Sequence, residues 1–198
     1  YFIPGEVKIR PGAYFNVDKI GDDGGFGAID GVVAVIFKAD FGPINSVTVL
    51  ERDENYADFY GNGGTTDAIR EAIAGGAKKI IACRAGGTGG SAATASLTAA
   101  TGTVKITAKH LGAMDLSVTV RDKLTDSDRK ECVIYTGTTE FERVNFAKGD
   151  DEVAALVEAF SKSKNFVAEG QESASGIITN ASQVTFRAGE NPVTATGD

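Results

Sequence analysis

The sequence predicts an α+β protein: a mixed α/β core segment, then a β-rich antiparallel domain, with an extended arm in front. Three observations carry this. Short β-branched runs recur along the whole chain, at roughly ten-residue spacing in its second half. Only a few segments show helical periodicity. The 25 glycines fall in short clusters without a collagen period, so they mark element ends and turns.

Residues 1–20 (YFIPGEVKIRPGAYFNVDKI) carry turn signals at Pro4-Gly5 and Pro11-Gly12 between short alternating runs. Pro11 keeps Arg10 out of the helical region, so an extended arm with one turn is expected. Such an arm is ordered only by pairing with a sheet, its own or another subunit's. Its candidate contact residues are Val7, Ile9, Arg10, Pro11, Gly12, Tyr14 and Asn16. Residues 21–27 (GDDGGFG) form a loop, and 31–38 (GVVAVIFK) read as a strand buried on both faces.

A turn at Gly42-Pro43 precedes an alternating strand over 46–50. Residues 53–60 (DENYADFY) predict a short helix capped by Asp53 and stopped by Gly61. A second helix is expected over 67–74 (DAIREAIA), with Thr65-Thr66-Asp67 at its start and Gly75-Gly76 at its end. Residues 78–84 (KKIIACR) complete the core segment, 21–86, as another buried strand.

The uncharged stretch 87–95 reads as a linker. The β-rich domain, 96–187, holds predicted strands at 95–97, 104–109, 116–121, 132–136, 141–146, 166–168, 177–179 and 184–186. One helix interrupts them at 150–162, its acidic start favoured by the helix dipole and its stripe formed by Val153, Leu156, Val157 and Phe160. Residues 188–198 read as a linker towards a further C-terminal domain.

The inventory for chemistry is thin. His110 is the single histidine, so any general base rests on it alone, and no partner for a dyad is evident beside it. The glycine-rich 84–90 (RAGGTGG) lacks the Gly-Lys-Ser/Thr of a phosphate-binding loop and the helix of a dinucleotide site. Asp126-Ser127-Asp128 begins like a calcium loop, but Arg129 and Lys130 oppose a cation there. Cys83 and Cys132 read as reduced, buried thiols. No enzymatic activity, cofactor or metal is expected. Net charge is −7, with scattered basic residues, which argues against a nucleic-acid partner. No apolar run approaches the ~18 residues of a membrane span.

The opening, Arg10-Pro11-Gly12-Ala13-Tyr14-Phe15-Asn16, resembles the start of contractile tail sheath proteins of Gram-positive and prophage type. The order that follows is similar too: a Gly-x-Val-x-Val strand from Gly31, the Gly42-Pro43 turn, a short helix ending at Tyr60-Gly61, a second ending at Gly76-Ala77, the strand from Lys79 to Arg84, and Thr107-Ala108-Lys109-His110. The resemblance implies a self-assembling subunit of a helical sheath, found in a virion tail or phage-tail-like particle assembled in the host cytoplasm. It implies contraction around an inner tail tube protein, with contacts to baseplate or tail terminator proteins, by rigid-body rearrangement of subunits. Residues 1–20 would be the inter-subunit arm, adding a strand to a neighbour. The alternative is a β-rich, adhesin-like surface module that does not self-assemble.

Overall fold

The computed structural model describes residues 31–61 and 66–193; the arm residues Val7 to Asn16 lie outside them. Strand β1 (Val32–Phe37) runs parallel to β3 (Lys79–Arg84), and β2 (Val47–Glu51) pairs with the other side of β3 in antiparallel register. The sheet order is therefore β1-β3-β2. Helices α1 (Ala57–Tyr60) and α2 (Asp67–Ala74) supply its cover. Phe37, Leu50, Tyr60, Ile69, Ile80 and Ala82 form one buried cluster, with Phe37 and Tyr60 edge to face at 4.8 Å.

α2 has the bounds that its periodicity predicts, and Gly76 beyond its end takes φ +94°. α1 starts later than expected, at Ala57: Tyr56, not Asp53, stands at its N-cap, without a side-chain cap. The Asn55 Oδ1 accepts from the Ala57 N–H at 3.3 Å, while residues 51–54 close a turn through Glu54. Gly61 ends the helix as predicted, at φ +71°.

The second half is antiparallel. β4 (Ala92–Leu111) pairs with β8 (Phe166–Ile178). β5 (Ser117–Asp122), β6 (Arg129–Thr136), β7 (Thr139–Ala147) and β9 (Ala181–Thr185) form a sheet of order β7-β6-β5-β9. β4 and β8 each replace two predicted short strands. Gly102 does not end β4; it makes a bulge, at φ +66°, in which a Cβ would stand 2.6 Å from the Gln171 carbonyl. In β8 the irregularity falls at Glu172 and Ser173, both with positive φ.

Helix α3 (Glu152–Ser161) packs on β8 and β7, and Asp151 caps it by accepting from the Ala154 N–H at 3.2 Å. Val153, Leu156 and Phe160 enter the large core with Leu97, Ile106, Val118, Ile134, Phe166 and Phe186. Glu152 does more than complement the helix dipole. Its carboxylate is buried against the Lys130 ammonium at 2.8 Å and accepts the Ile178 N–H at 2.9 Å.

Candidate assembly surface

Alternate residues of a strand share a face, and the register of β1-β3-β2 sorts this sheet into two unlike ones. Val35, Phe37, Ile80, Ala82 and Leu50 face the helices. Val32, Ala34 and Ile36 of β1, Ile81 and Cys83 of β3, and Val47 and Val49 of β2 share the opposite face. None of these seven is buried; Ile36 is 78% exposed, Val47 63% and Val49 50%. This corrects the expectation that 31–38 is buried on both faces: α1 and α2 lie on one side only. An apolar face spanning three strands is a mark of a binding surface, unlike hydrophobic residues scattered singly. At one end of it Lys79 and Glu51 form an ion pair of 2.8 Å.

The other side of β3 ends in Arg84, which is only 1% exposed. Its guanidinium donates to the Gly42 carbonyl at 2.7 Å, to the Leu111 carbonyl at 2.8 Å and to Asn191 Oδ1 at 3.2 Å. The Asn191 Nδ2 donates in turn to Asp40 at 2.7 Å, and the Ala113 N–H donates to Asn191 Oδ1. Burial lowers the Arg84 pKa, opposed by the charge of Asp40. Glycines let the backbones meet here: a Cβ on Gly112 would lie 1.8 Å from the Asp40 carbonyl oxygen.

Two bridging segments leave this junction side by side. Thr88, Ser91 and Thr94 pair antiparallel with Val193, Glu190 and Arg187. The chain thus enters and leaves the β-rich region through adjacent, hydrogen-bonded segments, and 188–193 is part of that ladder. Sequence reasoning missed both Arg84 and Asn191. A basic residue ending an apolar run, and an Asn-Pro 107 residues later, carry no mutual signal.

His110 sits edge-on to Phe41 at 5.3 Å and makes no side-chain hydrogen bond to a described residue. Burial, with the charges of Arg84 and Lys109, lowers its pKa. No hydroxyl or thiol of a described residue is hydrogen-bonded to it. Among the described residues, no three His, Cys, Asp or Glu side chains converge as metal ligands, and no helix is long and apolar enough to cross a membrane. Both cysteines are free thiols, and burial pushes Cys132 up to about 12.

Two solved structures share this architecture. The sheath tail protein of Listeria innocua matches with a TM-score of 0.62 over 83% of this chain, at 19% identity. The sheath tail protein of Desulfitobacterium hafniense matches with a TM-score of 0.57 over 93%, at 14% identity. This chain has the fold of sheath tail proteins. It spans 35% and 40% of the length of those two chains. No protein-family model and no curated protein sequence matches it. The fold is thus retained where sequence identity has almost vanished.

Proposed function

We propose that this chain is a structural, non-enzymatic subunit of a contractile tail sheath. It self-assembles into a helical polymer around an inner tube protein, and baseplate or terminator proteins meet the polymer's ends. The observation that carries the reading is the open apolar face of β1-β3-β2 in a chain with the sheath tail fold. Of the seven side chains on that face four are exposed and three half-buried; leaving that apolar surface in water is unfavourable, at about 25 cal/mol per Å², and covering it in an assembly recovers that energy. Among the described strands β1 and β2 flank the three-stranded sheet, so each presents an edge that pairs with no other described strand.

The Arg84 junction supports a second part of the reading. It fastens the three-stranded sheet to the β-rich region through a buried cation and close backbone packing. Residues 32–193 would then travel as one body while contacts between subunits change. Val7, Ile9, Arg10, Pro11, Gly12, Tyr14 and Asn16 are the proposed inter-subunit arm.

Sedimentation velocity tests this directly. The full-length protein should sediment as large, concentration-dependent polymers. The variant Ile36→Asp/Val49→Asp, which alters only exposed side chains, should keep its fold and sediment as a small species. Polymers of unchanged size in that variant would refute the assignment of this face to assembly.

A further inference from the structure

The β7-β6-β5-β9 sheet ends in two edges that are unlike. At β9 the ladder to β5 shifts register, and Gln183 takes φ +51° there. β7 is longer and keeps one register with β6 from Glu142 to Ala147. The Lys148 N–H donates to the Asp128 carbonyl at 2.9 Å, which fixes the phase of that ladder. In an antiparallel pair the bonded positions alternate, so Val144 and Phe146 turn their backbone groups to β6. Arg143, Asn145 and Ala147 turn theirs outward, where β7 pairs with no other described strand. A groove of about 580 Å³ lies against this edge, and its walls include Asn145, Phe146 and Ala147 of β7 and Ala155 and Ala159 of α3. The two alanines stand four residues apart on one side of the helix, half-buried and packed against the core that holds Val144 and Phe146. Open backbone donors and acceptors on one wall and short apolar side chains on the other fit an added strand. Main-chain bonds then give affinity, and alternate side chains fill the groove.

We infer that this edge receives residues 7–10 from the arm of another copy, as one more strand antiparallel to β7. Val7 and Ile9 alternate with Lys8 and Arg10, so the aliphatic pair meets Ala155 and Ala159. The basic pair lies on the solvent face, where Glu131 and Glu140 already neutralise Arg143. In that phase Lys8 and Arg10 exchange main-chain bonds with β7, and positions 7, 9 and 11 turn their backbone groups away from it. Pro11 has no N–H to give, and here none is needed. That the arm comes from another copy rests on the sheath reading above; the choice of edge and its phase do not.

Cross-linking in the full-length protein tests this. In a Cys83→Ser background, Ile9→Cys and Ala159→Cys are joined after assembly by a short bis-maleimide, and the products are read on a denaturing gel. A ladder of covalent multimers is expected. Adding Asn145→Pro should lower its yield about tenfold or more, because that change removes one outward N–H and keeps the bonds to β6. Polymers that yield no ladder would overturn this acceptor and leave the sheath reading standing. A natural sequence that forms no polymers would overturn that reading and, with it, the donation between copies. A link within one chain, or a ladder unaffected by Asn145→Pro, would also overturn the proposal. Hydrogen exchange gives a second reading should Asn145→Pro fold poorly. Lys8→Pro should speed exchange at the Asn145 and Ala147 amides of the polymer about tenfold or more, and equal rates would count against the pairing just as firmly.

Discussion

The Arg84 guanidinium reaches across the molecule to the Leu111 carbonyl at 2.8 Å, tying the last residue of β3 to the last residue of β4. That bond, with those to Gly42 and Asn191, joins the three-stranded sheet to the β-rich region. Arg84→Met keeps much of the side-chain volume but leaves the Gly42 and Leu111 carbonyls without this donor. The expected loss is about 3 kcal/mol, since each buried group left unpaired costs roughly 1–3 kcal/mol. Urea unfolding measures it. A loss below about 0.5 kcal/mol would mean that the junction does not hold the two regions together.

The buried Lys130–Glu152 pair makes a different prediction. Glu152→Gln leaves the Lys130 ammonium without its counter-charge and takes a charged acceptor from the Ile178 N–H. Destabilisation of roughly 3–5 kcal/mol is expected, whereas Lys130→Met with Glu152→Leu together should lose much less. Thermal unfolding of the single and double variants separates the two. A double variant as unstable as the single one would show that the ion pair itself contributes net stability.

Acid should weaken the β7-β6-β5-β9 sheet through Glu131. Burial pushes this carboxyl up, but hydrogen bonds from Arg121 and Arg143 outweigh that and hold it below its ordinary 4.5. A folded-state pKa that is depressed gives stability that is present above the unfolded value and lost as pH falls through the folded one. Stability should therefore drop below about pH 4.5, and Glu131→Gln should flatten that acid limb. Denaturation midpoints from pH 6 to pH 2 provide the check; parallel curves for the two proteins would contradict it.

The thiols report on the open face. Cys132 is buried, and its pKa of about 12 leaves almost no thiolate at pH 8, so a disulfide reagent should leave it unmodified in the native protein. Cys83 lies partly exposed among Ile81, Ile36 and Val47, so it should react in the monomer and be protected in the polymer. Mass spectrometry after brief labelling distinguishes these states. Equal labelling of Cys83 in both would remove this face from the interface.

The sequence was most informative where structure is local. The apolar spacing of 67–74 and the glycines behind it fix α2, and Gly61 fixes the end of α1. Strand content in the second half followed from β-branched alternation, while strand length did not. The predicted strands 95–97 and 104–109 are one strand in which Gly102 forms a bulge, because Ala99, Thr101 and Thr103 around it continue to pair with β8. Burial failed at 31–38, since an apolar run does not record that helices cover one face of the sheet only. The Arg84–Asn191 and Lys130–Glu152 pairs were illegible for a plainer reason. Each joins residues far apart in the chain, and nothing local to either partner names the other.

Electron microscopy of the full-length protein tests the central claim most directly. The account predicts striated tubes or polysheath for the natural sequence, and dispersed small particles for Ile36→Asp/Val49→Asp. A natural-sequence protein that stays monodisperse at high concentration, or a double variant that still forms tubes, would contradict it.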